Sequence, residues 1–163
     1  MNDVYVEQIV KKKPEKWSYL VEAICVILCF VLLATVYSAI GVILLVAMIA
    51  ATYFVFRYFK VEYEYLLISD ELNIDKITAR TSRKRVASYD MNKLEVIAKE
   101  ESEELRVYDD RNLKVFDFTS NTVKTGRTVM VIMDNNELVK VYIEPNARII
   151  EGIKLTAPRK VKL

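Results

Sequence analysis

Four basic side chains, Arg80, Arg83, Lys84 and Arg85, fall within the segment TARTSRKR, residues 78–85. Such a cluster suits an anionic surface, because each Lys or Arg held near a negatively charged leaflet contributes about 1 kcal/mol. The tail residues Arg159, Lys160 and Lys162 could join it. In an extended chain, alternation puts Arg83 and Arg85 on one face and Lys84 on the other. All of them therefore cannot meet one surface together, and a hairpin connection with solvated charges fits the same residues.

Other chemistry has few residues to work with. The chain has no histidine, which removes Ser-His and Cys-His pairs and imidazole metal sites. Its three glycines, Gly41, Gly126 and Gly152, are isolated, so neither a Walker loop nor a GxGxxG turn can form. The acidic pairs Glu103-Glu104 and Asp109-Asp110 lack the glycine-bearing loop of a Ca²⁺ site. Cys25 and Cys29 lie inside an apolar run at i, i+4 and read as packing residues, with acylation of Cys25 the alternative. A net charge of +2 does not point to nucleic acid. These residues imply no catalytic group, no cofactor and no metal.

The elements that would position the basic cluster fall into two parts. Residues 23–56 carry no charged side chain, whereas the sequence after Lys60 is charge-rich and mixed. As one helix, Trp17–Tyr58 would be about 60 Å long, twice the ~30 Å hydrocarbon core. Two spans, about 17–37 and 40–59, joined near Tyr37-Ser38-Ala39-Ile40-Gly41, fit instead. Trp17, Tyr19, Tyr37, Tyr53 and Tyr58 stand where interfacial aromatics belong. Lys11, Lys12, Lys13 and Lys16 precede the first span, Arg57 and Lys60 follow the second, and the central turn is uncharged. The positive-inside rule then predicts a multi-pass protein of the cell membrane with both termini cytoplasmic. Glu22, about a turn inside the first span, reads as interfacial, reaching headgroups near Lys13 and Lys16. The expected organisation is a cytoplasmic segment 1–16, a membrane hairpin 17–60 and a cytoplasmic domain 61–163.

After Lys60 the pattern is that of strands. VEYEYLLIS (61–69) alternates, with Val61, Tyr63, Tyr65 and Leu67 on one face. LNIDKIT (72–78) alternates again, with Asn73 and Asp75 opposite Leu72 and Ile74, and the basic stretch leads as a connection to RVASYD (85–90). Asp90 suits an N-cap for one helical turn over 91–94, followed by a strand in 95–100 and a solvated acidic loop. LRVYDD (105–110) and LKVFDF (113–118) predict one hairpin, and RTVMVIM (127–133) with LVKVYIE (138–144) another, with a polar loop over 119–126 between them. Residues 144–160 change to helical spacing, with Pro145 at the first helical position, Ile149, Ile150 and Ile153 on one face, and Pro158 as the stop. The fold class is α+β: a transmembrane helical hairpin, then seven or eight antiparallel strands in a sandwich or barrel closed by an amphipathic C-terminal helix.

The order of these elements, with YEYLLISDELNIDKITARTSRKRV after a membrane hairpin and Asp90-Met91-Asn92-Lys93-Leu94 at a short turn, resembles the bacterial pleckstrin-homology-like (PH-like) membrane proteins. The ending IEPNARIIEGIKLTAPRKV is similar to that of a small Gram-positive group of the same type. The resemblance implies a PH-like fold and a membrane location, and no activity or site residues. Two functions follow as expectations. One is a non-enzymatic membrane-anchored adaptor that presents the PH-like domain to a protein partner. The alternative is a module that senses anionic lipid through Arg80, Arg83, Lys84 and Arg85, with Arg159 and Lys160.

Overall fold

A computed structural model describes residues 5–109, 111–122 and 127–163. The chain divides into two compact units, one of residues 13–61 with 78–82, the other of residues 1–12, 62–77 and 83–163.

In the first unit, α1 (Lys16–Leu32) and α2 (Ala39–Tyr58) are antiparallel partners joined through a 3₁₀ turn at Leu33–Thr35. Cys29 Sγ lies 3.5 Å from Thr52 Oγ1, and the rings of Trp17 and Phe59 meet edge to face at 5.2 Å. Ser38 caps α2 by accepting from the Gly41 N–H at 3.0 Å. Gly41 is required there, because a Cβ would stand 1.8 Å from the Thr35 carbonyl oxygen. Both helical segments, Lys16–Thr35 and Ala39–Tyr58, are long and apolar enough to cross a membrane. Leu20, Ile27, Phe30, Ile43, Val46 and Phe54 are exposed on them, a surface that fits lipid and not water. The turn covers residues 33–38, a few positions before the Tyr37–Gly41 stretch, whose last three residues already belong to α2.

The second unit is built on two sheets. Four strands, β1 (Tyr5–Lys11), β2 (Val61–Ile68), β3 (Glu71–Thr78) and β4 (Ser82–Asp90), lie in that order. The other sheet contains β5 (Leu94–Lys99), β6 (Lys114–Asp117), β7 (Thr128–Asp134), β8 (Glu137–Ile143) and β9 (Val161–Lys162), in the order β6-β8-β7-β5-β9. A short α3 (Glu103–Arg106) follows β5, and α4 (Ala147–Thr156) precedes β9. Alternation sorts the side chains. Tyr65, Leu67, Leu72 and Ile74 from the first sheet are fully buried, as are Ile97, Met130, Ile132 and Ile143 from the second and Ile149 and Ile153 from α4. The Tyr65 phenol donates to the Phe118 carbonyl at 2.7 Å and accepts from the Glu144 N–H at 3.3 Å, joining the sheets. Burial holds that phenol neutral by pushing its pKa up.

Several expectations are corrected. Tyr5–Lys11, which carries no strand in the sequence analysis, pairs antiparallel with β2 from Tyr5↔Ile68 to Lys11↔Glu62. Its alternation is weak because Glu7, Ile9 and Lys11 share the outward face. Residues 105–109 are not a strand. Ser102 caps α3 by accepting from the Glu104 N–H, with Glu103 and Glu104 in the first turn, where carboxylates favour a helix start. That segment buries Leu105, with Tyr108 and Leu113, against Val96, Ala98, Val129 and Val131 on the far face of the second sheet. Both faces of β7 are thus covered, which is why TVMVIM reads as a continuous apolar run. The sheet is mixed, since β6 runs parallel to β8 and β9 parallel to β5. Asn146, not Pro145, begins the C-terminal helix, its side chain accepting from the Ile149 N–H at 2.9 Å. Asp110 and residues 123–126 of the predicted turn and loop lie outside the described residues.

Gln8 fixes β1 a second time. Its Nε2 donates to the Glu144 carbonyl at 2.7 Å, and its Oε1 accepts from the Asn146 N–H at 2.7 Å. Gln8→Ala forfeits both bonds and is expected to lower stability by about 1–3 kcal/mol in denaturant unfolding of the full chain. An unchanged midpoint would show that β1 is held by its ladder alone.

Candidate functional site: the basic hairpin and an acidic cleft

The basic segment does not stay together. The turn between β3 and β4 covers Ala79, Arg80 and Thr81, with left-handed φ at Ala79 (56°) and Arg80 (60°). This turn belongs to the unit of apolar helices. Arg57, in the last turn of α2, donates to the Ala79 carbonyl at 2.8 Å and to Thr81 Oγ1 at 3.2 Å, and the Ala79 N–H reaches the Lys60 carbonyl at 3.0 Å. Arg80 is therefore held beside the charged end of α2.

Arg83, Lys84 and Arg85 lie inside β4, not in a connecting loop. Arg83 Nη2 meets Glu64 Oε1 at 2.8 Å, and Arg85 Nε meets Asp75 Oδ1 at 3.0 Å. The acids are on β2 and β3, on the face away from the core, yet Glu64 and Asp75 are only 1% and 5% exposed. Asn73, opposite in sign of expectation to a solvent-facing residue, is buried too. Alternation turns these three away from the core face, where the guanidinium groups of β4 are drawn to the two acids from half-exposed positions. Glu64 Oε2 and Asn73 Oδ1 are buried without a hydrogen-bond partner. Burial raises the Glu64 pKa, helped by the negative charge of Glu7 and opposed by the charge of Arg83. Lys160 stands 3.6 Å from Glu95, while among the described residues no ion pair engages Lys84 or Arg159. The six sequence-predicted contacts are thus divided among the helix unit, the sheet face and the C-terminal segment.

A second ionic cluster escaped the sequence reading. Arg127 binds Glu100 through Nη2 at 2.8 Å and Nε at 3.1 Å, and lies over the Tyr142 ring at 4.4 Å. The Arg127 hydrogen bonds lower the Glu100 pKa. Its residues are far apart in sequence, and only the β5–β7–β8 register brings them together.

At the end of the sandwich, the β2–β3 turn, the end of β4 and the β7–β8 turn enclose a cleft of about 650 Å³. Asp70, Glu71, Asp90 and Asp134 line it with Tyr89 and one cation, Lys93. The β7–β8 turn is tight, with positive φ at Asn135 (45°) and Asn136 (67°). Among the described residues no group of acids is close enough to hold a metal ion.

The two carboxylates should respond to pH with opposite sign. A raised folded-state pKa costs stability as pH rises from the unfolded value of 4.5 through the folded one, so Glu64→Gln is expected to flatten that decline. A lowered pKa at Glu100 supplies stability that is lost as pH falls below 4.5, and Arg127→Ala should remove about 1–2 kcal/mol of it at neutral pH. Urea unfolding of the full chain across a pH series reads both, and parallel curves for variant and parent would contradict them.

A family model described as a bacterial PH-like domain (DUF6106) matches residues 2–163. No curated protein and no solved structure matches the chain.

Proposed function

The chain belongs to the bacterial PH-like domain family, and from that membership we propose a non-enzymatic, membrane-anchored adaptor that presents its PH-like part to a protein partner at the cytoplasmic side of the cell membrane. PH-like domains are in general non-catalytic modules for binding protein or lipid. The anchor is the helix hairpin over residues 17–60, crossing twice. The β1–β2 ladder supports this topology, because Lys11 and Glu62 are paired neighbours. A chain that leaves at one and returns at the other must come back to the side it left, which takes an even number of crossings. The lysines before α1 and the basic residues after α2 favour the cytoplasm as that side.

The observation that ranks a protein partner above lipid is the engagement of Arg83 and Arg85 with Glu64 and Asp75. Cations neutralised by their own sheet attract a leaflet weakly. β4 is also the outermost strand of its sheet, and Ser82–Val86 are exposed, so its free edge can take an added strand. A lipid contact is favoured by a different observation, the tie between Arg57 and the turn carrying Arg80, and on this second reading Arg80 works with Lys84, Arg159 and Lys160.

Two measurements test the proposal in the native membrane. In a Cys25→Ala/Cys29→Ala background, a membrane-impermeant maleimide should label Tyr37→Cys from outside intact cells and Val107→Cys only after lysis; the reverse pattern would overturn the topology. A photo-crosslinker at Lys84 or Val86 should give an adduct with a protein of one defined mass, insensitive to Arg80→Ala. Lipid adducts alone, lost with Arg80→Ala, would replace the adaptor with the lipid sensor.

A further inference from the structure

The acidic cleft has the marks of a site that awaits a cation. Among the described residues, Asp70, Glu71, Asp90 and Asp134 form no ion pair, and Lys93 is the single basic side chain in the lining. Their hydrogen bonds come from neutral donors. Asn92 Nδ2 donates to Asp70 Oδ2 at 2.6 Å and to Asp90 Oδ1 at 2.9 Å, the Ser88 hydroxyl donates to Glu71, and Asn135 Nδ2 donates to Asp134 Oδ1 at 3.1 Å. These bonds fix the carboxylates in place and leave their charge uncompensated.

Tyr89 is the independent sign. Its side chain is 3% exposed and lines the cleft, yet its hydroxyl has no hydrogen-bond partner among the described residues. The hydroxyl is open to the cleft, where an incoming group can reach it. Burial and the charge of Asp134 raise its pKa, so the group stays a neutral phenol able to accept or donate.

The size of the space and the spread of the acids decide among cations. The carboxylates are too dispersed to close around a metal ion, and about 650 Å³ accommodates a side chain with its flanking backbone. A planar guanidinium can bridge carboxylates on different strands with several N–H donors at once, which an ammonium cannot. We propose that this cleft, walled by Asp70, Glu71, Asp90 and Asp134 and floored by the Tyr89 phenol, binds an arginine side chain of an extended peptide from a protein partner. The site lies at the C-terminal end of β4, so the inference deepens the adaptor reading and rests on it.

The test uses the full chain in nanodiscs of uncharged lipid, titrated calorimetrically with the blocked peptide acetyl-Ala-Arg-Ala-Arg-Ala-amide at low salt. Saturable binding of one peptide per chain is expected. Asp90→Asn/Asp134→Asn should weaken it about tenfold, and Tyr89→Phe severalfold. Lys93→Ala should tighten it severalfold, a gain that a damaged fold would not give. The lysine analogue should bind more weakly. Absent binding, binding indifferent to all of these changes, or saturable Ca²⁺ binding in place of the peptide would each overturn the inference. Persistence of the protein adduct at β4 in that event would leave the adaptor reading standing and remove only the cleft.

Discussion

Two carboxylates on neighbouring strands are nearly shut off from water, and their neutralisation governs how the first sheet is organised. Glu64 and Asp75 repel one another, and burial disfavours the charge of Glu64. Arg83 and Arg85 supply the counter-charge from β4, and the negative charge of Glu7 on β1 adds to the repulsion at Glu64. Side chains from all four strands therefore meet over one face. Of the four basic residues in that run, Arg83 and Arg85 supply this balance.

The same sheet is tied to its neighbour by groups that are neutral. The Tyr65 phenol bridges Phe118 and Glu144, and the Gln8 amide brackets Glu144 and Asn146. Both side chains satisfy backbone groups at strand and helix ends that would otherwise be orphaned in a partly buried place. The start of α4, and with it Ile149 and Ile153 in the core, depends on a residue more than a hundred positions earlier.

The sequence was most legible where one physical signal dominated. Length and apolarity located the two helices, while their turn, over residues 33–38, falls before the Tyr37–Gly41 stretch because Ser38 caps α2 and draws Ala39–Gly41 into its first turn. Period-two alternation found β2 and β3, the turn residues 134–137 found the β7–β8 hairpin, and Asp90 found its helical turn. Reading failed where a longer-range partner decided the outcome. YVEQIVK becomes a strand because β2 needs a neighbour, which local propensity does not show. Leu105 and Tyr108 suit a strand by type, but Ser102 and the acids after it start a helix, and the far face of the second sheet takes their side chains. The ion pairs of Arg83, Arg85 and Arg127 depend on strand register, as does the cleft, whose walls come from three turns and strand ends. A charge run shows its partners only after the sheet is assembled.

The pairing of β1 with β2 also orders events in time. The two strands are adjacent in the sheet, yet the whole helical hairpin is threaded between them in the chain. Bringing the ends of so long a flexible segment together carries an entropic penalty that grows with its length. Antiparallel helices packed on one another return the chain to its starting point and remove most of that penalty. The ribosome releases β1 long before β2 exists, so this strand must wait, unpaired, until the helical hairpin has formed. Hairpin formation is then a step in completing the sheet, and a chain whose helices fail to pair presents the open edges of β1 and β2 to quality-control proteases.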